Sequence, residues 1–384
     1  MLVPAAIPVA VLLVQALAAS AKTRARPLPA GRRPGVAVLV PAHNEAVGIA
    51  NTVAAIREQL QDGDRILVIA DNCTDDTTAL ALAAGAPVLE RHNLDQRGKG
   101  YALDYGVQQL ALSPPEVVIM IDADCTLSPG SIDRLACVAL AAQRPVQALD
   151  LMRARKNSGL KMRIAEFAWI VKNQVRPLGF QRLGLPCQLM GTGMAFPWSL
   201  IGAASLANGS LAEDMKLGIE LARKNAAPLF CADACVTSYF PSGEAAARLQ
   251  RTRWEHGHMG MIVRHGLPLL WQGLVQRDRM LIALALDLCV PPVALLTIVT
   301  LALFIVAACA WLVFGWLAPL LVAGINMLAL TLAVLLAWRQ FGRSVLSLHD
   351  LFSSLAYVFW KIPLYLKFFV NRQVEWVRAK RDAE

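Results

Sequence analysis

Hydrophobic and polar positions fall into three textures along this chain of 384 residues. The first twenty residues, "MLVPAAIPVAVLLVQALAAS", carry no charged side chain. That is enough to cross a bilayer core of about 30 Å. From about 36 to 265 the pattern becomes short apolar runs that stop abruptly at polar residues. "GVAVLV" runs into "PAHNE", "RILVIA" into "DNCTDDT", and "EVVIMI" into "DADC". Between these runs, 46–60, 75–84 and a stretch starting at Tyr101 have apolar residues at helical spacing. Strands alternating with helices predict an α/β domain with a mainly parallel sheet. The third texture, from about Met280 to Trp338, is apolar again and is broken by Pro291, Pro292 and Gly315. It predicts two spans, near 288–312 and 315–337. A last apolar segment, "LFSSLAYVFWKIPLYLKFFV", contains Lys361 and Lys367, which suits a helix near 350–370 lying in the membrane interface.

Composition supports this division. A hydrophobic content of 56% and a mean hydropathy of +0.47 exceed what an ordinary soluble enzyme carries. A cleaved signal peptide competes for the first segment, with Ala16 and Ala18 suiting a cleavage site, but no basic region precedes the apolar core. Lys22, Arg24, Arg26, Arg32 and Arg33 follow without an acid, and by the positive-inside rule they place that end in the cytoplasm. The expected organisation is a membrane helix over 1–20, a basic juxtamembrane linker over 21–35, a cytoplasmic domain over 36–265 and a membrane region over 266–384. A basic tail with Arg372, Arg378, Lys380 and Arg381 closes the chain. Much of the net charge of +9 sits in these flanking stretches, which points to anionic lipid and away from nucleic acid. Of the eight cysteines only Cys231 and Cys235 lie close together in the polar region, and with no second pair they make no zinc pattern.

The chemistry gathers where strands end. Three successive apolar runs terminate in acids: Glu45, Asp71, and Asp122 with Asp124. In parallel sheets, ligands bind beyond the carboxyl ends of the strands. Two carboxylates two positions apart repel, and a divalent cation that also carries phosphates would neutralise them. "PAHNEAVG" lacks the glycines of a dinucleotide fold, and "NLDQRGKGY" lacks the earlier glycine and the hydroxyl residue of a P-loop. Carboxylates with a metal, helped by a few cations, are therefore expected to hold the phosphates. "DADCT" also matches the D-x-D-x-T nucleophile motif of haloacid-dehalogenase-type phosphatases, in which the first aspartate attacks phosphorus. That motif normally ends the first strand of its domain, whereas two strands with acidic ends precede it here.

A broader resemblance covers residues 38–254. "VLVPAHNE", "VIADNCTDDT", "RGKGYALDYG", "IDADC", "LAEDMKLGIEL" and "QRTRW" occur in that order, the last matching Q-x-x-R-W. Their order and spacing resemble membrane-bound family-2 glycosyltransferases, the group that includes cellulose, hyaluronan and poly-N-acetylglucosamine synthases. The resemblance implies a glycosyltransferase A-type, Rossmann-like cytoplasmic domain with about three transmembrane helices plus interfacial helices. It implies inverting sugar transfer from a nucleotide-sugar donor, a UDP-sugar in the first place, to a lipid, lipid-linked or polysaccharide acceptor. The location implied is the cytoplasmic face of the inner membrane, in a multi-pass protein.

By the same resemblance, Asp124 and Asp122 would hold Mg2+ or Mn2+, with Asp122 also near the donor. Pro41, Glu45, Asp71, Lys99 and Arg253 would complete the nucleotide site, Asp71 reading the uracil edge. Asp214 would be the general base and Glu213 its neighbour that orients the acceptor. The family more often has threonine before this acid pair, where this chain has Ala212. Gly191 and Gly193 in "MGTGMAF", with Gln250 and Trp254, would form the acceptor side. Taken singly these residues have plainer explanations. Asp71 could cap a helix, Glu213 and Asp214 could stabilise a helix start through its dipole, and Arg253 and Trp254 could belong to an interface helix. His256 and His258 lack further ligands for a metal site. Two other functions remain open at this point: the phosphatase, and a polysaccharide-export component without catalysis.

Overall fold

The computed structural model describes residues 2–21, 28, 31–207, 210, 212–241 and 243–370. Lys22, Arg24 and Arg26 and the basic tail with Arg372, Arg378, Lys380 and Arg381 lie outside the described residues. The chain forms two compact units. One gathers residues 24–153 and 187–257; the other gathers 1–23, 154–186 and 258–373.

The first unit is built on one sheet of eight strands: β1 (Val36–Ala42), β2 (Arg65–Asp71), β3 (Val88–Arg91), β4 (Val117–Met120), β5 (Thr126–Leu127), β6 (Val146–Arg153), β7 (Met194–Pro197) and β8 (Leu229–Tyr239). Their spatial order is β3-β2-β1-β4-β7-β6-β8-β5. β3, β2, β1 and β4 run parallel, β7 is antiparallel to both β4 and β6, and β8 is parallel to β6. The sheet is thus mixed but mostly parallel. Side chains alternate across it. Val36, Val38 and Val40 join one core with Ile49, Val53, Ile56, Ile132 and Leu135 from the helices Ile49–Arg57 and Ser131–Ala142. Ala37 and Leu39 join the other with Leu103, Val107 and Leu110 of the helix Lys99–Leu110 and Leu217 and Leu221 of the helix Glu213–Arg223. Burial on both faces is why β1 reads as an unbroken apolar run.

The amino ends of the strands are clamped by arginines that the sequence pattern assigns to the membrane boundary. Arg33 bonds Asp64 at 2.6 and 3.0 Å and Asp133 at 2.6 Å, and Arg32 bonds Glu116 at 2.6 Å. Asp64 also accepts from the Val36 amide at 2.9 Å. Burial opposes the charge on Asp64, but these hydrogen bonds outweigh it and hold the carboxyl below its ordinary range. Arg32 and Arg33 therefore tie down the sheet, and the basic linker does not act as a lipid-facing run throughout its length.

The second unit is helical. Val293–Phe314 and Leu317–Ala337 are 22 and 21 residues long, and by length and apolar composition they could cross a membrane. The first starts after Pro292, about five residues later than the apolar pattern suggests, because the Pro291–Pro292 pair cannot continue a helix. The amino-terminal helix Leu2–Ser20 covers the segment expected as a third span. It is 19 residues long and carries no charged side chain. Val9, Leu12, Ala16 and Ala19 make one buried stripe at helical spacing, with Gln15 fully buried beside them. Gln15 donates to Asp287 at 2.7 Å, and Arg176 donates to the same carboxylate at 2.9 and 3.2 Å. A Cβ on Gly179 would come within 2.2 Å of the Gln15 carbonyl, so the helix Arg176–Arg182 packs backbone to backbone against it.

The continuous domain expected over 36–265 is therefore interrupted at 154–186. The reason is that Ile164, Phe167, Ile170, Val175 and Leu178 bury within the helical unit. The segment expected as one interfacial helix near 350–370 is two helices, Leu348–Trp360 and Ile362–Val370, with Lys361 between them.

Candidate active site

Register brings the acidic strand ends together. β1 pairs with β2 on one side and β4 on the other, and the Ile121 amide still bonds the Leu39 carbonyl at 3.0 Å beyond the end of β4. Asp122 and Asp124 therefore emerge beside the turn carrying Glu45 and beside Asp71. Their loop is pinned twice. The Asp122 amide donates to Thr192 Oγ1 at 3.0 Å, and buried Thr52 donates to the Ala123 carbonyl at 2.9 Å. A Cβ on Gly48 would sit 3.3 Å from that carbonyl, so the helix start approaches the loop closely.

Lys99 is the hub of the site. Its ammonium is ion-paired with Asp122 and donates to the Gly191 carbonyl at 2.7 Å. Burial alone would lower its pKa; the charges of Asp122, Glu213 and Asp214 overcome that and keep it protonated. A Cβ on Gly191 would lie 3.5 Å from Asp214 Oδ2 and 3.6 Å from Lys99 Nζ, and its φ of +94° suits glycine. Glu213, next in line, has its carboxyl pushed up to about 7 by burial first and by the charge of Asp214 second, against the pull of Lys99.

The acidic strand ends open onto a cleft of about 670 Å³. Pro41, Glu45, Asp71, Lys99, Asp122, Asp124, Gln250 and Arg253 all line it. Gln250 places an enclosed Oε1 that accepts no hydrogen bond among the described residues. Glu213, Asp214, Gly191, Gly193 and Trp254 do not line this cleft; Lys99 links it to Gly191 and to the acid pair. Gly193, expected beside an acceptor, is enclosed in the sheet, where a Cβ would meet Val236 at 2.7 Å and Ala148 at 2.8 Å. Its missing side chain serves packing between β7, β6 and β8. His258 bonds the Leu288 carbonyl at 3.0 Å, and burial lowers its pKa to about 3. It is a satisfied core histidine.

Asp71 is not a helix cap. The helix Thr77–Ala83 starts after Asp76, and Asp75 accepts from the Thr77 amide at 3.1 Å. Asp71 Oδ1 instead accepts from Arg91 Nη1 at 2.7 Å and from Asn72 Nδ2 at 3.1 Å. Asn44 and Asn72, each just past a strand, take left-handed φ values of 56° and 53°, a conformation asparagine tolerates well. Asn44 accepts from the Thr74 amide at 2.7 Å, stitching the two turns together.

Residues His43, Asn44, Asn72, Thr74 and Arg97 also line the cleft and had not been singled out in the sequence. Nor had Gln147, fully buried on β6, which donates to the Thr192 carbonyl at 2.8 Å and accepts from the Met190 amide at 2.8 Å. A lone glutamine inside the apolar run "VQAL" was the available signal.

Asp122 and Asp124 fit a hard divalent cation. Among the described residues no three Cys, His, Asp or Glu side chains converge into a ready cage. One or two carboxylates, with substrate phosphates filling the rest of the shell, are how Mg2+ is commonly held.

The sequence profile of the family described as "Glycosyltransferase like family 2" matches residues 34–257, more than half of the chain. The protein belongs to this family. Among solved structures, the family-2 chain is similar to a mannosyltransferase from Pyrobaculum calidifontis, in complex with GDP-Man and Mn2+. Identity there is 18%, covering 88% of this chain and 99% of that one, with a TM-score of 0.51. A second match is glucosyl-3-phosphoglycerate synthase from Mycobacterium tuberculosis with Mn2+, UDP and glucosyl-3-phosphoglycerate, at 20% identity over 61% of this chain and 84% of that one, TM-score 0.39. The same enzyme with Mg2+ and UDP matches at 22% over 54% and 70%, TM-score 0.37. At these identities the first likeness shows a shared glycosyltransferase A-like fold. No curated protein matches this family-2 chain by sequence.

Proposed function

We propose that this protein transfers a sugar with inversion from a nucleoside-diphosphate donor, UDP-linked, to a hydroxyl of a lipid, lipid-linked or glycan acceptor at the cytoplasmic face of the inner membrane. The observation that carries the reading is Lys99, which pairs with Asp122 at the donor cleft and bonds the Gly191 carbonyl beside Asp214. One cation thus connects the place for a departing diphosphate with the place for an incoming hydroxyl. The acceptor oxygen attacks the anomeric carbon, the bond from that carbon to the phosphate oxygen breaks, and Asp214 takes the hydroxyl proton. Lys99 and Arg253 offset the negative charge left on the nucleoside diphosphate. A divalent cation, Mg2+ or Mn2+, held by Asp124 and Asp122 would neutralise the same charge as a Lewis acid. The Mn2+ complex of the similar mannosyltransferase supports that choice.

Membrane attachment is supported by the two long apolar helices and by an outward apolar stripe. Leu267, Trp271 and Val275 of the helix Leu267–Gln276 are 76%, 70% and 64% exposed, with Arg264 and Arg277 flanking. Such a stripe suits the lipid interface. A single-addition enzyme fits the two helices among the described residues that are long and apolar enough to span. The phosphatase reading gives way to family membership, and the complete acid set argues against a catalytically silent export component.

The test is calorimetric titration of the purified full-length protein with UDP, with Mn2+ and with chelator, for the wild type and Asp124→Ala. Metal-dependent binding lost in the variant is expected. Failure of the wild type to bind any nucleoside diphosphate would end the donor assignment.

A further inference from the structure

Arg91 is the last residue of β3, an edge strand of the sheet, and stands opposite Asp71 in the β2–β3 register. Its guanidinium is nearly buried among Asp71, Gln96 and Tyr101. Nη1 donates to Asp71 Oδ1 at 2.7 Å and to the Gln96 carbonyl at 2.9 Å; Nη2 donates to Gln96 Oε1 at 3.3 Å; and the plane lies 5.7 Å from the centre of the Tyr101 ring. A carboxylate oxygen offers about two lone-pair positions. Arg91 and Asn72 fill both of those on Oδ1. Asn72 cannot turn away, since its Nδ2 also donates to the Asn93 carbonyl at 3.1 Å and its Oδ1 accepts from the Asn93 amide at 2.8 Å. Oδ2 accepts no hydrogen bond among the described residues, and Asp71 lines the cleft. The site therefore presents one carboxylate oxygen to a ligand.

That count discriminates between nucleobases. Uracil shows a single ring N–H between two carbonyls and needs one acceptor atom. Guanine shows a ring N–H and an adjacent amino group, and satisfies them best with both oxygens of one carboxylate. With Oδ1 filled, one guanine donor would be left unpaired, and a site that leaves a polar group unpaired rejects that ligand strongly. We infer that Arg91 is a positioning residue that sets the nucleobase preference of the donor site, filling one oxygen of Asp71 so that the cleft takes a uracil edge and refuses a guanine edge. The inference rests on the reading of the cleft as a nucleoside-diphosphate site.

The experiment is calorimetric titration of the full-length protein, with Mn2+ present, against UDP and GDP, for the wild type, Arg91→Met and Arg91→Lys. The wild type should bind UDP at least about ten-fold more tightly than GDP. Arg91→Met, which has no donor, should bring the UDP-to-GDP ratio towards one, because an Oδ1 position becomes available. Arg91→Lys should keep the ratio, since an ammonium still donates to Oδ1. Equal loss of both nucleotides in Arg91→Met, with the ratio kept, would reduce Arg91 to a purely structural part and overturn the inference. A wild type that prefers GDP overturns it too, while leaving the nucleoside-diphosphate reading intact. A wild type that binds neither nucleotide removes both. Should Arg91→Met give no folded protein, Asn72→Ala vacates one of the two Oδ1 positions and should narrow the same ratio. An unchanged ratio there is equally decisive against the inference.

Discussion

Lys99 Nζ donates to the Gly191 carbonyl at 2.7 Å while its charge is paired with Asp122. The lysine is fixed by a main-chain oxygen on one side and a carboxylate on the other, so little reorganisation is needed when charge develops beside it. Replacing Lys99 with Met keeps the stem and removes the charge. Loss of a preorganised cation at a developing anion typically costs about 10²–10³ in turnover. Steady-state kinetics with a nucleotide sugar should show that fall in kcat. A variant with wild-type kcat would remove Lys99 from the reaction.

Asp214→Asn preserves shape and a hydrogen-bonding group but cannot take a proton. Sugar transfer should drop by about 10²–10⁴, the usual contribution of a general base. UDP affinity should change little, because Asp214 does not line the donor cleft. Parallel turnover and calorimetric measurements separate the two effects; equal losses in both would count against the assignment.

Glu213 gives the fold a pH dependence whose sign can be worked out. Its carboxyl ordinarily titrates near 4.5 and is pushed up to about 7 in the folded protein. Between these values the folded state keeps a proton that the unfolded state has released, so stability falls as pH rises through that window and then levels off. Thermal melting of wild type and Glu213→Gln across pH 5 to 8 should show the wild type losing ground relative to the variant as pH rises towards about 7. A constant difference between the two curves would contradict this.

The acids were legible in the sequence because each follows an apolar run buried on both faces, as β1, β2 and β4 are. What holds them was not. Thr52, Gln147, Thr192 and Arg91 act through contacts to residues 20 to 71 positions away, and no local pattern marks a side chain whose partner is so distant. Gly193 shows the opposite limit. Its spacing from Gly191 looked like one functional turn, but only packing against Val236 and Ala148 reveals its separate part. The helical segment 160–182 was equally hidden, since an amphipathic stripe does not say which unit it will bury against.

The buried Arg176–Asp287 pair should be a point of weakness. Asp287→Ala leaves a guanidinium and the Gln15 amide buried without their shared acceptor, a change that typically costs about 3–5 kcal/mol. The melting temperature of the detergent-solubilised protein should fall well below that of the wild type. An unchanged melting temperature would show that the network contributes nothing.

Trp271, at 70% exposed on the outward stripe, reports on the lipid reading. In bilayers containing brominated lipid, tryptophan quenching should be smaller for Trp271→Phe than for the wild type. Identical quenching would mean that this face does not touch lipid.

The chain passes between its two units at 23–24, 153–154, 186–187 and 257–258. During synthesis, β1 to β6 are made first, yet β7, which must enter the sheet between β4 and β6, leaves the ribosome only after 154–186. The middle of the sheet therefore stays open until a helical excursion, whose partners at 258–373 come later still, has already been made. Cutting the chain after 257 would yield a complete sheet with an orphaned apolar insert, so a soluble catalytic fragment requires replacing that insert as well as trimming the ends.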